Sequence, residues 1–173
     1  HAAGAQVIAT AGSPEKLRLC KELGADRAID YRAGDFADEV LDATGGDGVD
    51  VIFDTLGGEV TQSSFRCIAR NGRHLMVGFS TGIEAEDSGL TPRPVIFGNF
   101  ALLGVILAYT SAPREVKRAS GFNLVPRAVG DAIHKNLVAM LEAGEIHPVI
   151  GRRVPFEEVD LQARVLPVQY VEP

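Results

Sequence analysis

Short apolar runs rich in valine and isoleucine alternate with helical stretches through the first half of the chain. The four runs are residues 6–9, 27–30, 49–54 and 74–79. Alternation of short buried strands with amphipathic helices is typical of βαβ units, whose crossovers require parallel pairing. The pattern therefore predicts an α/β fold built on a doubly wound parallel sheet.

Three helices are predicted between these strands. Ser13 is the expected N-cap of the first, with Pro14 at the first helical position and Gly24 as the stop. The second covers residues 35–43, and the third covers residues 59–68 and stops near Asn71.

The second half of the chain is less regular. Residues 82–99 carry acids, prolines and glycines and predict a loop. A long apolar strand is then expected from Phe100 to Tyr109, followed by a polar stretch and a long helix over residues 125–143. Residues 146–156 predict a strand that leaves the layer.

Charge and hydropathy exclude several classes of partner. The net charge of −6 comes from mixed acids and bases without a basic stripe, which argues against nucleic acid and anionic membranes. No apolar run approaches the roughly 20 residues that span a bilayer. The first residues lack the order of a signal peptide, so a cytoplasmic location is expected.

The metal-ligating residue types are scattered. Cys20 and Cys67 are far apart, and the chain has four histidines but neither a CxxC nor an HExxH motif. Zinc sites need such ligands at close spacing or brought together by the fold. We therefore predict no zinc site within this sequence.

The end of the first strand bears on nucleotide binding. Rossmann domains that prefer NAD place an acid there for the ribose hydroxyls, but this strand continues Ala-Thr-Ala-Gly-Ser without one. Ser13 and Lys16 can instead offer a hydroxyl and a positive charge to a phosphate. The alternative is that Ser13 is only an N-cap and Lys16 only a solvated helix residue.

Several of these segments together resemble a known family. In order and spacing they are similar to landmarks of the zinc-independent quinone oxidoreductase branch of the medium-chain dehydrogenase/reductase family. The segments are residues 9–17, 23–26, 29–32, 48–54, 72–79 and 146–151, and the similarity spans residues 4–159.

The resemblance implies hydride transfer from NADPH to a quinone or an activated, α,β-unsaturated carbonyl double bond, without catalytic zinc. It implies that a group after the first two strands surrounds the adenosine 2′-phosphate: Ser13, Lys16 and Tyr31. A second group would border the ribose and nicotinamide and form the floor of that pocket: Thr55, Leu56, Gly78, Phe79 and Ser80. No catalytic acid is identified.

Each of these assignments has a structural alternative. Tyr31 could be an aromatic residue that only caps the sheet, and Gly78 could be a turn glycine. Asp54 is expected to stabilise the turn beside Gly57 rather than to transfer protons.

The sequence departs from the family at its start and in residues 160–173. The glycine-rich phosphate loop and the strand before it are absent, since residues 1–5 resemble the tail of the helix that follows that loop. The family division implies a nicotinamide dinucleotide-binding domain in residues 1–145 and a return towards the substrate domain in residues 146–173. The chain alone is expected to be inactive.

Two other functions stay open. One is an enoyl-reductase module of a polyketide or fatty-acid synthase, and the other is a non-catalytic nucleotide-binding or dimerisation module. For the leading interpretation we expect a homodimer joined through the strand from Phe100 to Tyr109, whose apolar edge invites pairing and whose counterpart commonly joins subunits in the family.

Overall fold

The computed structural model describes residues 4–80 and 92–150. The chain divides into two compact units, His1–Val105 and Ile106–Pro173. In the first unit, strands and helices alternate: β1 (Ile8–Ala11), α1 (Pro14–Glu22), β2 (Arg27–Asp30), α2 (Phe36–Ala43), β3 (Val49–Asp54), α3 (Gly58–Ser64), β4 (Ile68–Met76), α4 (Arg93–Gly98) and β5 (Ala101–Gly104).

All strand pairs of this unit are parallel, as the alternation predicts. β1 pairs with β2, while β3, β4 and β5 form a second sheet in that order. A doubly wound dinucleotide-binding sheet has the order 3-2-1-4-5-6, which becomes 3-2 and 4-5-6 when its first strand is removed. The arrangement observed in residues 4–80 and 92–150 matches the 3-2 and 4-5-6 parts of that order.

Local sequence signals set the first two helices. The Ser13 hydroxyl caps α1 by accepting a 3.3 Å hydrogen bond from the backbone of Lys16, and Pro14 occupies the first turn. Gly24 follows the helix with a φ of +97°, a conformation that favours glycine. Asp35 caps α2 through a 3.0 Å bond from the backbone of Ala37. Both predicted helix starts are confirmed.

The core of the first unit lies around α2. Its residues Phe36, Ala37 and Val40 are buried against Ile29 of β2 and Cys67, the residue before β4. The same cluster contacts β1 and β3 through partly buried Ile8, Val49 and Ile52. One helix thus packs against strands of both sheets, so burial of its apolar face stabilises the two together.

Two boundaries around β4 differ from prediction. The third helix ends at Ser64 rather than at residue 68, because Ile68 already pairs with Val49 in the sheet. Asn71, with a φ of +66°, and the following glycine lie inside β4, where the register with β3 shifts. The residues predicted to stop a helix therefore form an irregularity within a strand, and that strand ends at Met76 rather than at residue 79.

The predictions for β1, α4 and β5 also need correction. β1 begins two residues later than predicted. The predicted loop over residues 82–99 contains α4, and its residues 82–91 lie outside the described part of the chain. The prediction of a long strand from Phe100 to Tyr109 is wrong. β5 stops at Gly104, which lies opposite Met76, the residue where β4 itself ends. Beyond that point β4 offers no further ladder.

The second unit contains β6 (Tyr109–Thr110), α5 (Pro113–Ser120), β7 (Val125–Pro126) and α6 (Arg127–Glu142). β6 and β7 pair in parallel. The predicted long helix is confirmed apart from its first two residues, which form β7. Residues 146–150 form no strand, and the rest of the strand predicted there lies outside the described residues.

Candidate functional site

The carboxyl ends of β1 and β2 are joined by a backbone contact. Tyr31 N donates to Ala11 O at 3.3 Å. The Tyr31 side chain then lies against Gly12, where an added Cβ would be 2.7 Å from the Tyr31 hydroxyl and 2.7 Å from Arg32 Nε. The structure therefore places a tyrosine and an arginine beside the residue that precedes the α1 cap.

Ser13 and Lys16 belong to this same edge. Ser13 accepts the Lys16 N–H through its side chain, which leaves the hydroxyl proton available for donation. Lys16 is half-buried one turn into α1. The predicted set of Ser13, Lys16 and Tyr31 thus lies at adjoining strand ends, as proposed.

Asp30, the acidic residue in this region, accepts hydrogen bonds from the backbone that follows it. Asp30 Oδ1 accepts a 2.9 Å hydrogen bond from Arg32 N, and Asp30 O accepts one from Ala33 N at 3.1 Å. This is an Asx turn, which aspartate commonly forms after a strand. Asp30 therefore shapes the β2 exit and holds the backbone of Arg32.

A second group of predicted residues meets at the ends of β3 and β4. Val77 N donates to Asp54 O at 2.8 Å, and Ser80 N donates to Thr55 O at 3.0 Å. Gly78 lies against Thr55, since an added Cβ would be 3.4 Å from Thr55 O. Thr55, Gly78 and Ser80 are therefore neighbours, with Leu56 half-buried and Phe79 exposed beside them.

Gly78 is not explained by backbone strain. It is outside the glycines with positive φ, and a methyl group at this position would make only ordinary contact with Thr55. A missing side chain here leaves the surface above the strand end open, which suits the approach of a flat ring. The pocket-floor role and the turn-glycine alternative both stay predictions.

Asp54 holds the turn that carries Thr55 and Leu56. Its Oδ1 accepts hydrogen bonds from Leu56 N at 2.9 Å and Gly57 N at 3.1 Å. Its Oδ2 accepts from Thr61 Oγ1 and lies 3.1 Å from His74 Nε2. The predicted role of Asp54 in stabilising this turn is confirmed.

His74 is the most enclosed member of this network. It is 0 % exposed, and the edge of its ring meets Phe65 at a centroid distance of 5.1 Å. Because a carboxylate only accepts hydrogen bonds, Nε2 carries the proton in this contact. Within residues 4–80 and 92–150, Nδ1 has no hydrogen-bond partner.

Opposing effects determine the pKa of Asp54. Burial raises it, while hydrogen bonds from His74, Thr61, Gly57 and Leu56 lower it by more. The net result holds the pKa of this carboxyl far below its ordinary 3.8. Asp54 is therefore an ionised acceptor with four donors, suited to fixing geometry.

The surroundings of the cysteine thiols indicate a structural role. Cys67 is buried and donates to Ser64 O at 3.4 Å, and burial raises the pKa of this thiol to about 11. It therefore stays protonated at neutral pH and is a poor nucleophile. Cys20 is also a free thiol.

Neither a cluster of metal ligands nor a membrane-spanning helix occurs in the part of the chain that the structure describes. Residues 4–80 and 92–150 bring together no group of three or more His, Cys, Asp or Glu side chains that could hold a metal. The same residues include no helix long and apolar enough to cross a membrane.

The sequence analysis missed Arg32 and the partners of Asp54. A single histidine within the apolar residues 74–79 was the available signal for a buried polar pair. Its partner is 20 residues away in sequence, so only the parallel register of β3 and β4 brings the two together. Arg32 lies within the segment 29–32 that resembles the family, but no role was predicted for it.

Comparison with known proteins identifies the family. A family model described as zinc-binding dehydrogenase matches residues 1–125. The chain belongs to the zinc-binding dehydrogenase family. This confirms the predicted membership of the medium-chain dehydrogenase/reductases, and the fold is that of their nucleotide-binding domain.

Two curated relatives are each 30 % identical to this chain over the aligned residues. A zinc-type alcohol dehydrogenase-like protein of Schizosaccharomyces pombe is 30 % identical over 159 residues, covering 91 % of this chain and 40 % of that protein. Quinone oxidoreductase-like protein 2 of Bos taurus is 30 % identical over 156 residues, covering 90 % and 40 %. The chain thus spans about two fifths of the length of these relatives.

A solved structure shows the same fold. The crystal structure of an NAD-dependent alcohol dehydrogenase is 30 % identical, with a TM-score of 0.66 over 86 % of this chain and 36 % of that one.

Proposed function

We propose that this chain is the cofactor-binding part of an NADPH-dependent oxidoreductase that reduces a quinone or an activated α,β-unsaturated carbonyl compound. The observation that carries the proposal is the group of donors at the ends of β1 and β2. The Tyr31 hydroxyl lies against Gly12, Ser13 caps the helix that follows, and Lys16 adds a cationic residue one turn into that helix. The first strand ends without a carboxylate.

These residues suit a ribose 2′-phosphate. This group carries up to two negative charges and accepts several hydrogen bonds, so it is best held by hydroxyl, ammonium and helix N-terminal donors. A carboxylate at the end of β1 would repel it, and Ala11 occupies that place. The nearby acid, Asp30, follows the second strand rather than the first and accepts the backbone N–H of Arg32 through Oδ1.

The second group of residues suits the nicotinamide half. When bound, the cofactor supplies the hydride. Thr55, Leu56, Gly78, Phe79 and Ser80 would border the ring and ribose and exclude water from them. Asp54 keeps the Thr55–Leu56 turn fixed through the backbone of Leu56 and Gly57, so the pocket wall is set before the cofactor arrives.

The first prediction concerns cofactor preference. In the full-length protein NADPH should bind more tightly than NADH, measured by titrating both cofactors and following fluorescence. Lys16→Ala should weaken NADPH binding by roughly 1.5–3 kcal/mol, the range for a hydrogen bond to a charged group, and leave NADH nearly unchanged. Arg18→Ala, which removes an exposed cation from the same helix, is the matched control.

NADH binding equal to or tighter than NADPH binding would remove the 2′-phosphate assignment. The substrate half of the proposal is tested on the same protein with simple quinones, enones and enoyl thioesters. Reduction of enoyl thioesters alone would favour the synthase enoyl-reductase module. Tight cofactor binding without any reduction would favour a non-catalytic nucleotide-binding module.

We also propose that this part of the enzyme works without zinc. The residues within 4–80 and 92–150 do not fit a zinc site, since their potential ligands do not cluster. Elemental analysis of the purified protein should find no stoichiometric zinc that depends on the thiols of this chain. One zinc per chain that is lost in Cys20→Ser or Cys67→Ser would contradict this.

A homodimer joined through the outer edge of β5 is the expected assembly. β5 pairs with β4 on one side, and Leu103 is 41 % exposed. Within residues 4–80 and 92–150, no strand pairs with its other edge. A free apolar edge without proline or charge favours pairing with a second copy across a two-fold axis.

A proline substitution tests this edge. Val105 N already donates to Met76 O at 2.9 Å, and successive strand residues direct their N–H groups to opposite edges, so Gly104 N–H faces outwards. Gly104→Pro should therefore give a folded monomer by light scattering at micromolar concentration, while Gly104→Ala stays dimeric. A wild-type monomer, or a Gly104→Pro dimer, would place the interface elsewhere.

A further inference from the structure

Arg32 lies over the strand end where the 2′-phosphate is proposed to bind. Its Nε would be 2.7 Å from a Cβ on Gly12, and its guanidinium carbon is 6.0 Å from the centre of the Tyr31 ring. Gly12 directly precedes the α1 cap Ser13. The exposed arginine side chain thus reaches from the end of β2 to the start of α1.

The charge of Arg32 is available in this position. Among residues 4–80 and 92–150, no carboxylate forms an ion pair with its guanidinium. The neighbouring Asp30 carboxylate accepts the backbone N–H of Arg32 instead. An exposed arginine usually gains little from a surface ion pair, so its placement over a glycine beside a tyrosine hydroxyl calls for another partner.

A phosphate monoester fits this arrangement. The guanidinium is planar and always charged, and it presents paired donors that match two phosphate oxygens. The Tyr31 hydroxyl lies next to the same point, and the ring face beneath the guanidinium restricts its orientation. A side chain at position 12 would occupy this space, which accounts for glycine there.

We propose that Arg32 is a specificity-determining residue that binds the 2′-phosphate of NADPH together with Tyr31, an inference that rests on the proposed function. Arg32 adds a second positive charge to the one from Lys16 and approaches from β2 rather than from α1. The phosphate is then held between two secondary-structure elements, and discrimination against NADH depends on both.

The test uses two fragments of the cofactor as probes, 2′,5′-ADP and 5′-AMP, bound to the full-length protein and measured by isothermal titration calorimetry. The wild type should prefer 2′,5′-ADP. Arg32→Ala should raise the dissociation constant for 2′,5′-ADP by roughly ten- to a hundredfold, the loss of a charge-assisted hydrogen bond. The dissociation constant for 5′-AMP should change less than about twofold, within the small range of exposed substitutions.

Matched variants separate charge from geometry. Arg27→Ala removes an exposed arginine from the other end of β2 and should leave both probes unaffected. Arg32→Lys keeps the charge without the paired donors and should recover only part of the affinity. Gly12→Ala keeps both side chains but takes the space between them, and should weaken 2′,5′-ADP selectively.

The outcomes distinguish the two proposals. If the wild type binds both probes equally, the assignment of NADPH fails, and the role of Arg32 fails with it. If the wild type prefers 2′,5′-ADP but Arg32→Ala keeps that preference, only the role of Arg32 is overturned. Equal weakening of both probes would show that Arg32 contacts the adenosine instead and would also overturn it.

Discussion

Replacing Asp54 by alanine is expected to lower the free energy of unfolding by about 3–5 kcal/mol, because it leaves several buried donors without an acceptor. Asp54 is 5 % exposed and accepts from Leu56 N, Gly57 N, Thr61 Oγ1 and His74 Nε2. Urea unfolding of the two proteins measures the difference.

Asp54→Asn should cost less than Asp54→Ala. The amide oxygen can still accept from the backbone of Leu56 and Gly57, while its NH₂ group faces Thr61 and His74. Thr61 can reverse its hydroxyl, and His74 can move its proton to Nδ1 so that Nε2 accepts. Nitrogen-15 NMR of the ring should therefore show the opposite tautomer of His74 in Asp54→Asn.

Asp50→Ala is the matched control, since Asp50 is exposed on the same strand. Its free energy of unfolding should stay within about 0.5 kcal/mol of wild type. An Asp54→Ala protein as stable as Asp50→Ala would show that the buried network contributes nothing net.

The stability of the wild type should also depend on the charge of Asp54. Its pKa in the folded protein is lower than in the unfolded chain, so the unfolded state takes up the proton first as pH falls. The stabilisation is complete above the ordinary pKa of 3.8 and is lost progressively at more acidic pH. Asp54→Asn should show a flatter decline over that acidic range.

The sequence was most informative where structure depends on neighbouring residues. The cap Ser13, the proline after it and Gly24 are local signals, and they predict α1 closely. β3 was predicted with its observed bounds because a short apolar run between two glycine-rich turns leaves few alternatives. The parallel arrangement followed from the alternation itself.

Features that depend on distant residues could not be predicted in the same way. The start of β4 at Ile68 is decided by pairing with Val49, and the end of β5 is decided by where β4 stops. Burial was also misjudged in part. Val51 and Phe53 are 46 % and 67 % exposed, although the apolar run predicted a buried strand.

The candidate site also combines features that the local sequence indicates with features that depend on distant residues. Ser13, Tyr31, Thr55 and Gly78 were predicted from the family resemblance, which was supported by the rule that parallel strands direct their carboxyl ends to one edge. The contact of Tyr31 and Arg32 with Gly12 is a matter of side-chain direction, which the spacing of residues does not reveal. The pairing of Asp54 with His74 likewise depends on register.

Among the glycines around α2 and β3, Gly48 is the one whose substitution should lower the free energy of unfolding most. It lies between α2 and β3 with a φ of +81°. An added Cβ would be 2.6 Å from Cys67 O and 2.9 Å from Ala69 N, both backbone atoms at the start of β4. These atoms cannot rotate away as a flexible side chain can, and Cys67 O already accepts from Val49 N at 2.9 Å.

Gly48→Ala should therefore lower the free energy of unfolding by about 2–4 kcal/mol, because it combines an unfavourable φ with displacement of the β4 backbone.

Two neighbouring glycines separate these two causes. Gly46 has a φ of +94° but open space around it, and Gly34 has open space without a positive φ. Gly46→Ala should cost about 1 kcal/mol from strain alone, and Gly34→Ala should be neutral within about 0.5 kcal/mol. Urea unfolding of the three variants gives the order directly, and a Gly48→Ala protein no less stable than Gly46→Ala would show that the β4 backbone moves aside without cost.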